Sequence, residues 1–206
     1  MGSMMHDDTD GTAEQTEVHP FVLAKIRASF RWLDADGDGA FTEADHVEMG
    51  RRAAAALGYE SDGDAEQEMI DAYLNIWRRL HAPLDADGDG RLTREEFITA
   101  CTALTRDPQL ARRTLGGLAD AVMAVADRDD NGTISLPEYT AFIHGHAPGL
   151  PSDQVAQAFA RLDVDGNGRI DHAELTGCVL DYYTSPDPHA AGNWLFGPPP
   201  PHPGTG

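Results

Sequence analysis

The sequence has one lysine, two cysteines and no long apolar run. Lys25 is the single lysine among 15 basic residues, and 35 acidic residues give the 206-residue chain a net charge of −20. Polyanions repel such a chain, so nucleic acid and anionic membranes are poor partners. No stretch is apolar over the length that is needed to cross a bilayer. The most distinctive feature of the composition is therefore its carboxylates, which outnumber the basic groups more than twofold.

The two cysteines, Cys101 and Cys178, lie in apolar stretches with helical periodicity. Burial as small hydrophobic side chains is therefore favoured over a disulfide or a reactive thiol. The N-terminal segment is acidic and has no apolar core of the kind that a signal peptide carries. We expect residues 1–19 to be a disordered segment, in which residues 1–3 look like a cloning remnant. We also expect a cytoplasmic location.

Four twelve-residue segments, 34–45, 85–96, 127–138 and 163–174, repeat one pattern of oxygen-bearing side chains. Each has Asp at positions 1 and 3, Asp or Asn at position 5, Gly at position 6 and an acid at position 12. Calcium takes 6–8 oxygen ligands at about 2.3–2.6 Å, which a chain can supply by coiling tightly around one ion. Solvated Asp-Gly turns explain a single such match, but not four matches flanked by apolar residues at helical spacing. The pattern predicts four EF-hand calcium loops.

The EF-hand pattern assigns side-chain ligands to positions 1, 3, 5 and 12 of each loop and a backbone carbonyl to position 7. The candidate metal ligands are Asp34, Asp36, Asp38, Ala40 and Asp45 in loop one; Asp85, Asp87, Asp89, Arg91 and Glu96 in loop two; Asp127, Asp129, Asn131, Thr133 and Glu138 in loop three; and Asp163, Asp165, Asn167, Arg169 and Glu174 in loop four. We therefore predict up to four bound Ca²⁺.

Loop one ends in Asp45, whereas the other three loops end in Glu. Asp is one methylene shorter than Glu, so a bidentate grip on the ion requires the exit helix to close in. Without that closure the coordination number falls towards six, which suits Mg²⁺ better than Ca²⁺. We expect Mg²⁺ to compete at loop one.

Apolar residues recur at helical spacing on both sides of every loop. This periodicity predicts an all-α fold with four helix-loop-helix units in two pairs, at 20–105 and 106–184. No long polar helix separates loop two from loop three, so the pairs are expected to pack as one compact body. A long helix that enters loop two is predicted from Met69, Tyr73, Ile76, Trp77 and Leu80. Asp107 and Ser152 are predicted helix N-caps.

A tail rich in proline and glycine occupies residues 185–206. Its prolines exclude a continuing helix. Exposure of Trp194, Leu195 and Phe196 together would be costly, since burial of one large apolar side chain contributes about 1.5–3 kcal/mol. We expect this triplet to dock on the helical body.

These features resemble the sarcoplasmic calcium-binding proteins and their bacterial relatives of the calerythrin type. The resemblance is carried by Asp45 at the end of loop one, by the wide spacing between the first two loops and by the tail at 187–197. It implies a compact body of two EF-hand pairs with a buffering role in the cytosol. It also implies an antiparallel bridge between the eighth loop residues in each pair, Phe41 with Leu92 and Ile134 with Ile170. Such a bridge would couple the two sites.

Three functions remain open from the sequence. Few methionines lie outside the N-terminal segment, and the aromatic residues have helical spacing, so a calcium buffer with a fixed core is favoured. The alternative is a calcium sensor that binds a protein partner once it is loaded. The third is a small-molecule-binding or catalytic protein that uses its helical cup, as calcium-regulated photoproteins do. No catalytic residue is assigned, because no nucleophile-base spacing or phosphate loop is present. A monomer is expected.

Overall fold

The computed structural model describes residues 17–34 and 36–201. These residues form eight α-helices and four two-residue strands. The helices are α1 (Pro20–Leu33), α2 (Glu43–Ala56), α3 (Asp64–Ile76), α4 (Arg94–Leu104), α5 (Pro108–Ala126), α6 (Leu136–His146), α7 (Ser152–Leu162) and α8 (His172–Thr184). The strands are β1 (Ala40–Phe41), β2 (Leu92–Thr93), β3 (Thr133–Ile134) and β4 (Ile170–Asp171). The predicted all-α fold of four helix-loop-helix units is confirmed. Most of the predicted disordered N-terminal segment, residues 1–16, and the end of the tail, residues 202–206, lie outside the described residues.

Each pair of loops is joined back to back by two strands. In the first pair β1 and β2 are antiparallel, with Phe41 opposite Leu92. In the second pair β3 and β4 are antiparallel, with Ile134 opposite Ile170. All four of these side chains are buried. The predicted bridges between the eighth loop residues are therefore confirmed, and each bridge is anchored in the hydrophobic core.

The two pairs share one core. Helix α2 packs against α6, α1 against α8 and α3 against α5, so helices of different pairs are in direct contact. Gly145 in α6 permits this approach, since a Cβ at that position would lie 2.8 Å from the Tyr73 hydroxyl and 3.1 Å from the Met49 carbonyl oxygen. The prediction of one compact body is confirmed. Among the described residues, no helix has both the length and the apolar composition to cross a membrane.

The predicted long helix that enters loop two changes its geometry after Ile76. Helix α3 ends at Ile76, and a π-helical turn (Trp77–His81) and a 3₁₀ turn (Ala82–Leu84) follow it. The π turn closes with a hydrogen bond from the Ala82 N–H to the Trp77 carbonyl. Pro83 explains the break, because its ring would clash with the carbonyl four residues earlier in an α-helix. The wider π turn brings His81 into the core.

Of the two predicted helix N-caps, Asp107 is confirmed and Ser152 is wrong. Asp107 caps α5 as predicted, and its carboxylate accepts hydrogen bonds from the N–H groups of Gln109 and Leu110. Ser152 is not a cap: it is the first residue of α7, and Pro151 occupies the N-cap position without a side-chain hydrogen bond. Pro151 has the fixed φ that leads the chain into the helix, so no polar cap is needed to set its direction.

Lys25 ties the tail to the body. It is fully buried, and its Nζ donates to the carbonyls of Asp181 and Ser185, both at 2.9 Å, and to Asn193 Oδ1 at 2.8 Å. The last carbonyls of a helix have no partner inside the helix, so the ammonium group caps α8. Burial lowers the pKa of Lys25 to about 8, which leaves the group mostly charged at neutral pH. The single lysine therefore links α1, the end of α8 and the tail.

The apolar triplet of the tail lies against the helices. Leu195 and Phe196 are buried and Trp194 is half-buried. The Tyr139 hydroxyl lies 3.3 Å from the Trp194 carbonyl oxygen and 3.2 Å from that of Leu195, and can donate to both. The Phe196 ring packs edge-on against Tyr182, with centroids 5.1 Å apart. These contacts join the tail to the second pair of loops.

Replacement of Lys25 by Met is expected to lower the free energy of unfolding by about 3 kcal/mol, because three buried acceptors lose their donor while the apolar stem is kept. Urea unfolding measures the change. Arg27→Met, on the exposed face of the same helix, is the matched control and should be nearly neutral. A loss below about 1 kcal/mol for the Lys25 variant would contradict the capping role.

Candidate metal centres

The carboxylates at positions 1, 3 and 12 converge in every loop. At each site one oxygen from each of the three residues lies within 4.8 Å of the others. The four groups are Asp34, Asp36 and Asp45; Asp85, Asp87 and Glu96; Asp127, Asp129 and Glu138; and Asp163, Asp165 and Glu174. The structure therefore brings together the candidate ligands of these three positions in all four loops.

Backbone N–H groups orient the carboxylate at position 1. In each loop the N–H of the glycine at position 6 donates to the Oδ2 of this carboxylate. The distances are 3.0 Å from Gly39 to Asp34, and 2.8 Å from Gly90 to Asp85, from Gly132 to Asp127 and from Gly168 to Asp163. These glycines have φ between 82° and 88°, a conformation that a Cβ disfavours. Gly at position 6 thus allows the turn and supplies the donor.

A second set of backbone donors orients position 5. The N–H of the residue at position 7 donates to the side-chain oxygen at position 5 in every loop. The pairs are Ala40 to Asp38 at 2.9 Å, Arg91 to Asp89 at 2.8 Å, Thr133 to Asn131 at 3.0 Å and Arg169 to Asn167 at 2.9 Å. Each position-5 side chain is therefore folded back onto its own loop. The role of the position-7 carbonyls as ligands stays a prediction.

The glutamate at position 12 joins the two ends of its loop. Glu96 Oε2 accepts from the N–H and the hydroxyl of Thr93, at 2.9 and 2.7 Å, and its Oε1 accepts from the Ala86 N–H at 2.9 Å. The Thr93 bonds hold the pKa of the Glu96 carboxyl below its usual range. Glu138 makes the same set of bonds with Ser135 and Arg128. The glutamate that completes the helix cap is therefore also the candidate metal ligand at position 12.

Loop one uses the same cap with a shorter acid. Asp45 is buried, and its Oδ2 accepts from the N–H of Thr42 at 2.8 Å and from the hydroxyl at 2.7 Å. The buried Oδ1 of Asp34 has no hydrogen-bond partner among the described residues. A buried carboxylate oxygen without a donor is costly, and a cation beside it removes that cost. The donor set of loop one therefore fits a divalent cation.

Sequence reasoning missed two contacts between paired loops. The Arg91 guanidinium binds Asp38 Oδ2 at 2.9 Å, so position 7 of loop two contacts position 5 of loop one. The Ala40 N–H and this guanidinium together hold the pKa of Asp38 below its usual range. In the second pair Arg169 donates to the Thr133 hydroxyl at 3.1 Å. The predicted antiparallel bridge could have indicated both contacts, because residues beside the bridge face the neighbouring loop.

Comparison with known proteins places these loops in a family. The family profile described as "EF hand" matches residues 84–101 and 155–179. Calerythrin from Saccharopolyspora erythraea is 29% identical over 161 residues, which cover 77% of this chain and 90% of calerythrin.

Two solved structures are also similar. One is the structure of a Streptomyces coelicolor calcium-binding protein, described as the structural basis for prokaryotic calcium-mediated regulation by that protein. It has a TM-score of 0.61 at 30% identity, and the comparison covers 81% of this chain and 99% of the other. The calcium-loaded apo form of the coelenterazine-binding protein from Renilla muelleri has a TM-score of 0.74 at 23% identity. That comparison covers 86% of this chain and 96% of the other, and it supports the fold.

The converging carboxylates, the strand-paired loops and these similarities define a calcium-binding protein. The chain belongs to the EF-hand family and is calerythrin-like.

The Asp45→Glu variant is expected to raise the preference of loop one for Ca²⁺ over Mg²⁺, because the longer acid reaches the ion with both oxygens without movement of α2. Glu96→Asp is the reciprocal control and should lower the preference of loop two for Ca²⁺ over Mg²⁺. NMR titrations can follow the two sites separately through the amides of Gly39 and Gly90, which each donate to their own loop. An unchanged ratio, or a shift towards Mg²⁺ in the Asp45 variant, would contradict the methylene argument.

Proposed function

We propose that this protein is a calcium buffer that binds up to four Ca²⁺ without opening its core. The ligands we propose are the side chains at positions 1, 3, 5 and 12 of each loop and the carbonyl at position 7. Bound ions supply positive charge to groups of carboxylates that otherwise repel one another. Mg²⁺ competes at 34–45, where the final acid is Asp. The proposed monomer and the domain limits, 20–105, 106–184 and 185–206, belong to the same proposal.

The observation that supports a buffer over a sensor is the docked tail. A sensor EF-hand pair opens on calcium binding and exposes a methionine-rich groove. In this structure Met49 and Met69 are buried in the shared core. The tail covers helices of the second pair through Leu195 and Phe196, and Lys25 holds it in place. This arrangement supports a buffer, because the tail already covers an apolar surface of the second pair that a partner could otherwise bind.

Loading of the full chain with Ca²⁺ in the presence of a hydrophobic dye tests this function. The buffer predicts about four bound ions by native mass spectrometry and dye fluorescence that stays flat or falls on loading. Glu138→Gln is the control for stoichiometry and should bind one ion fewer. A sharp rise of dye fluorescence on loading would refute the buffer and support a sensor with a protein partner.

A second candidate function is the binding of a small apolar molecule. A cavity of about 280 Å³ lies between the helical segments that flank loop two, α5 and α8. Its apolar lining includes Leu80, Leu84, Phe97, Leu104, Leu115 and Leu118. This volume is near the lower end of small-molecule pockets, roughly 300–1,000 Å³. The similarity to a protein described as coelenterazine-binding supports the same candidate. Calcium binding does not depend on it.

A further inference from the structure

The apolar cavity beside loop two has one polar edge. Four of its lining side chains can make a hydrogen bond: His81, Cys101, Thr114 and Tyr183. No charged side chain is part of the lining. A charged molecule would lose its hydration there without gaining a partner, so the cavity suits a neutral molecule. Which of the four side chains selects that molecule depends on the direction of their hydrogen bonds.

A chain of hydrogen bonds determines the tautomer of His81. His46 Nδ1 lies 2.9 Å from the Thr42 carbonyl oxygen. A carbonyl can only accept, so His46 Nδ1 carries a proton. His46 Nε2 lies 3.1 Å from His81 Nδ1. In a neutral His46 ring Nε2 is the acceptor, and His81 Nδ1 must then be the donor.

Both rings are neutral because both are buried. His46 is 1% exposed and His81 is 8% exposed. The hydrogen-bond partners that the described residues give His46 are the Thr42 carbonyl and the His81 ring, and neither is an anion that would stabilise a charged imidazole. Burial and the neighbouring His46 and His146 rings place the pKa of His81 well below its usual range. A neutral His81 with its proton on Nδ1 has a lone pair on Nε2. Within residues 17–34 and 36–201, no hydrogen bond takes up that nitrogen, and the His81 ring lines the cavity.

The other three polar groups are not fixed acceptors. Burial raises the pKa of the Cys101 thiol to about 12, so it stays protonated and is at most a weak donor. Tyr183 is buried and burial raises the pKa of its hydroxyl, so the group keeps its proton and can donate as well as accept. The Thr114 hydroxyl can rotate and either donate or accept. Only His81 presents an acceptor whose direction is set by the protein.

We propose that the cavity binds a neutral, largely apolar small molecule with one hydrogen-bond donor, such as a phenol, an indole or an alcohol, and that His81 Nε2 accepts this hydrogen bond. This inference rests on the second candidate function, because it names the ligand class of the same cavity. The π turn at Trp77–His81 is the element that brings the ring to this edge. Such turns are frequent at functional sites.

The probes that test this inference are 2-naphthol and 2-methoxynaphthalene, which differ mainly in the donor. Calorimetry on the calcium-loaded full chain is expected to show that 2-naphthol binds about tenfold more tightly. His81→Phe should abolish this preference, and Thr114→Val, the matched control at the other side of the cavity, should retain it. Ala100→Phe should fill the cavity and weaken both probes. Equal affinities in the unmodified chain, or a preference lost only in the Thr114 variant, would overturn the inference but leave the cavity a binding site.

A spectroscopic readout is independent of how the variants fold. Nitrogen-15 spectra of the histidine rings in the unmodified chain should show His81 Nε2 without a proton, and 2-naphthol should shift this resonance towards the hydrogen-bonded type while 2-methoxynaphthalene should not. A protonated Nε2 in the free chain would contradict the inference. Failure of both probes to bind would refute the inference and the second candidate function together, and would leave calcium binding untouched.

Discussion

Each loop brings carboxylate oxygens from three residues within 4.8 Å of one another, and the repulsion among them is the constraint on which the rest of the structure depends. Backbone donors offset part of this repulsion: Gly90 for Asp85, and Thr93 and Ala86 for Glu96. These donors orient the acids but add no net positive charge. A divalent ion supplies that charge. Because β1–β2 and β3–β4 join the loops in pairs, the charge balance of one loop acts on its neighbour.

The loops and their pairing could be predicted because their chemistry depends on position in the sequence. The spacing of Asp, Gly and Glu predicts which oxygens converge, and it does so at positions 1, 3 and 12 of all four loops. The pairing of Phe41 with Leu92 was implied by the family resemblance, and the structure confirms it. Asp107 before Pro108 marked the start of α5 for an equally local reason, since a cap depends on a few neighbouring residues.

Other features could not be predicted because they depend on distant residues. Pro83 was visible in the sequence, but its consequence, a π turn that carries His81 to a cavity, depends on how α3 packs. Arg91 reaches Asp38 across the loop bridge, and Lys25 reaches three acceptors on α8 and the tail. Asp130 adopts φ 54° at position 4 of loop three, where the other loops have Gly, and Asp tolerates this conformation better than most residues. The Lys25 contacts satisfy polar groups that burial would otherwise leave unpaired, whereas the Arg91–Asp38 pair is exposed.

The most direct measurement of the central constraint is thermal unfolding of the full chain in saturating Ca²⁺ and in excess chelator. A site held at 1,000 times its dissociation constant adds about 4.1 kcal/mol to the free energy of unfolding, so four sites rival the whole stability of an ordinary domain, about 5–15 kcal/mol. The chelator is expected to lower the melting temperature by at least about 20 °C. A melting temperature that changes by less than about 3 °C would show that the core, and not the charge balance of the loops, determines stability.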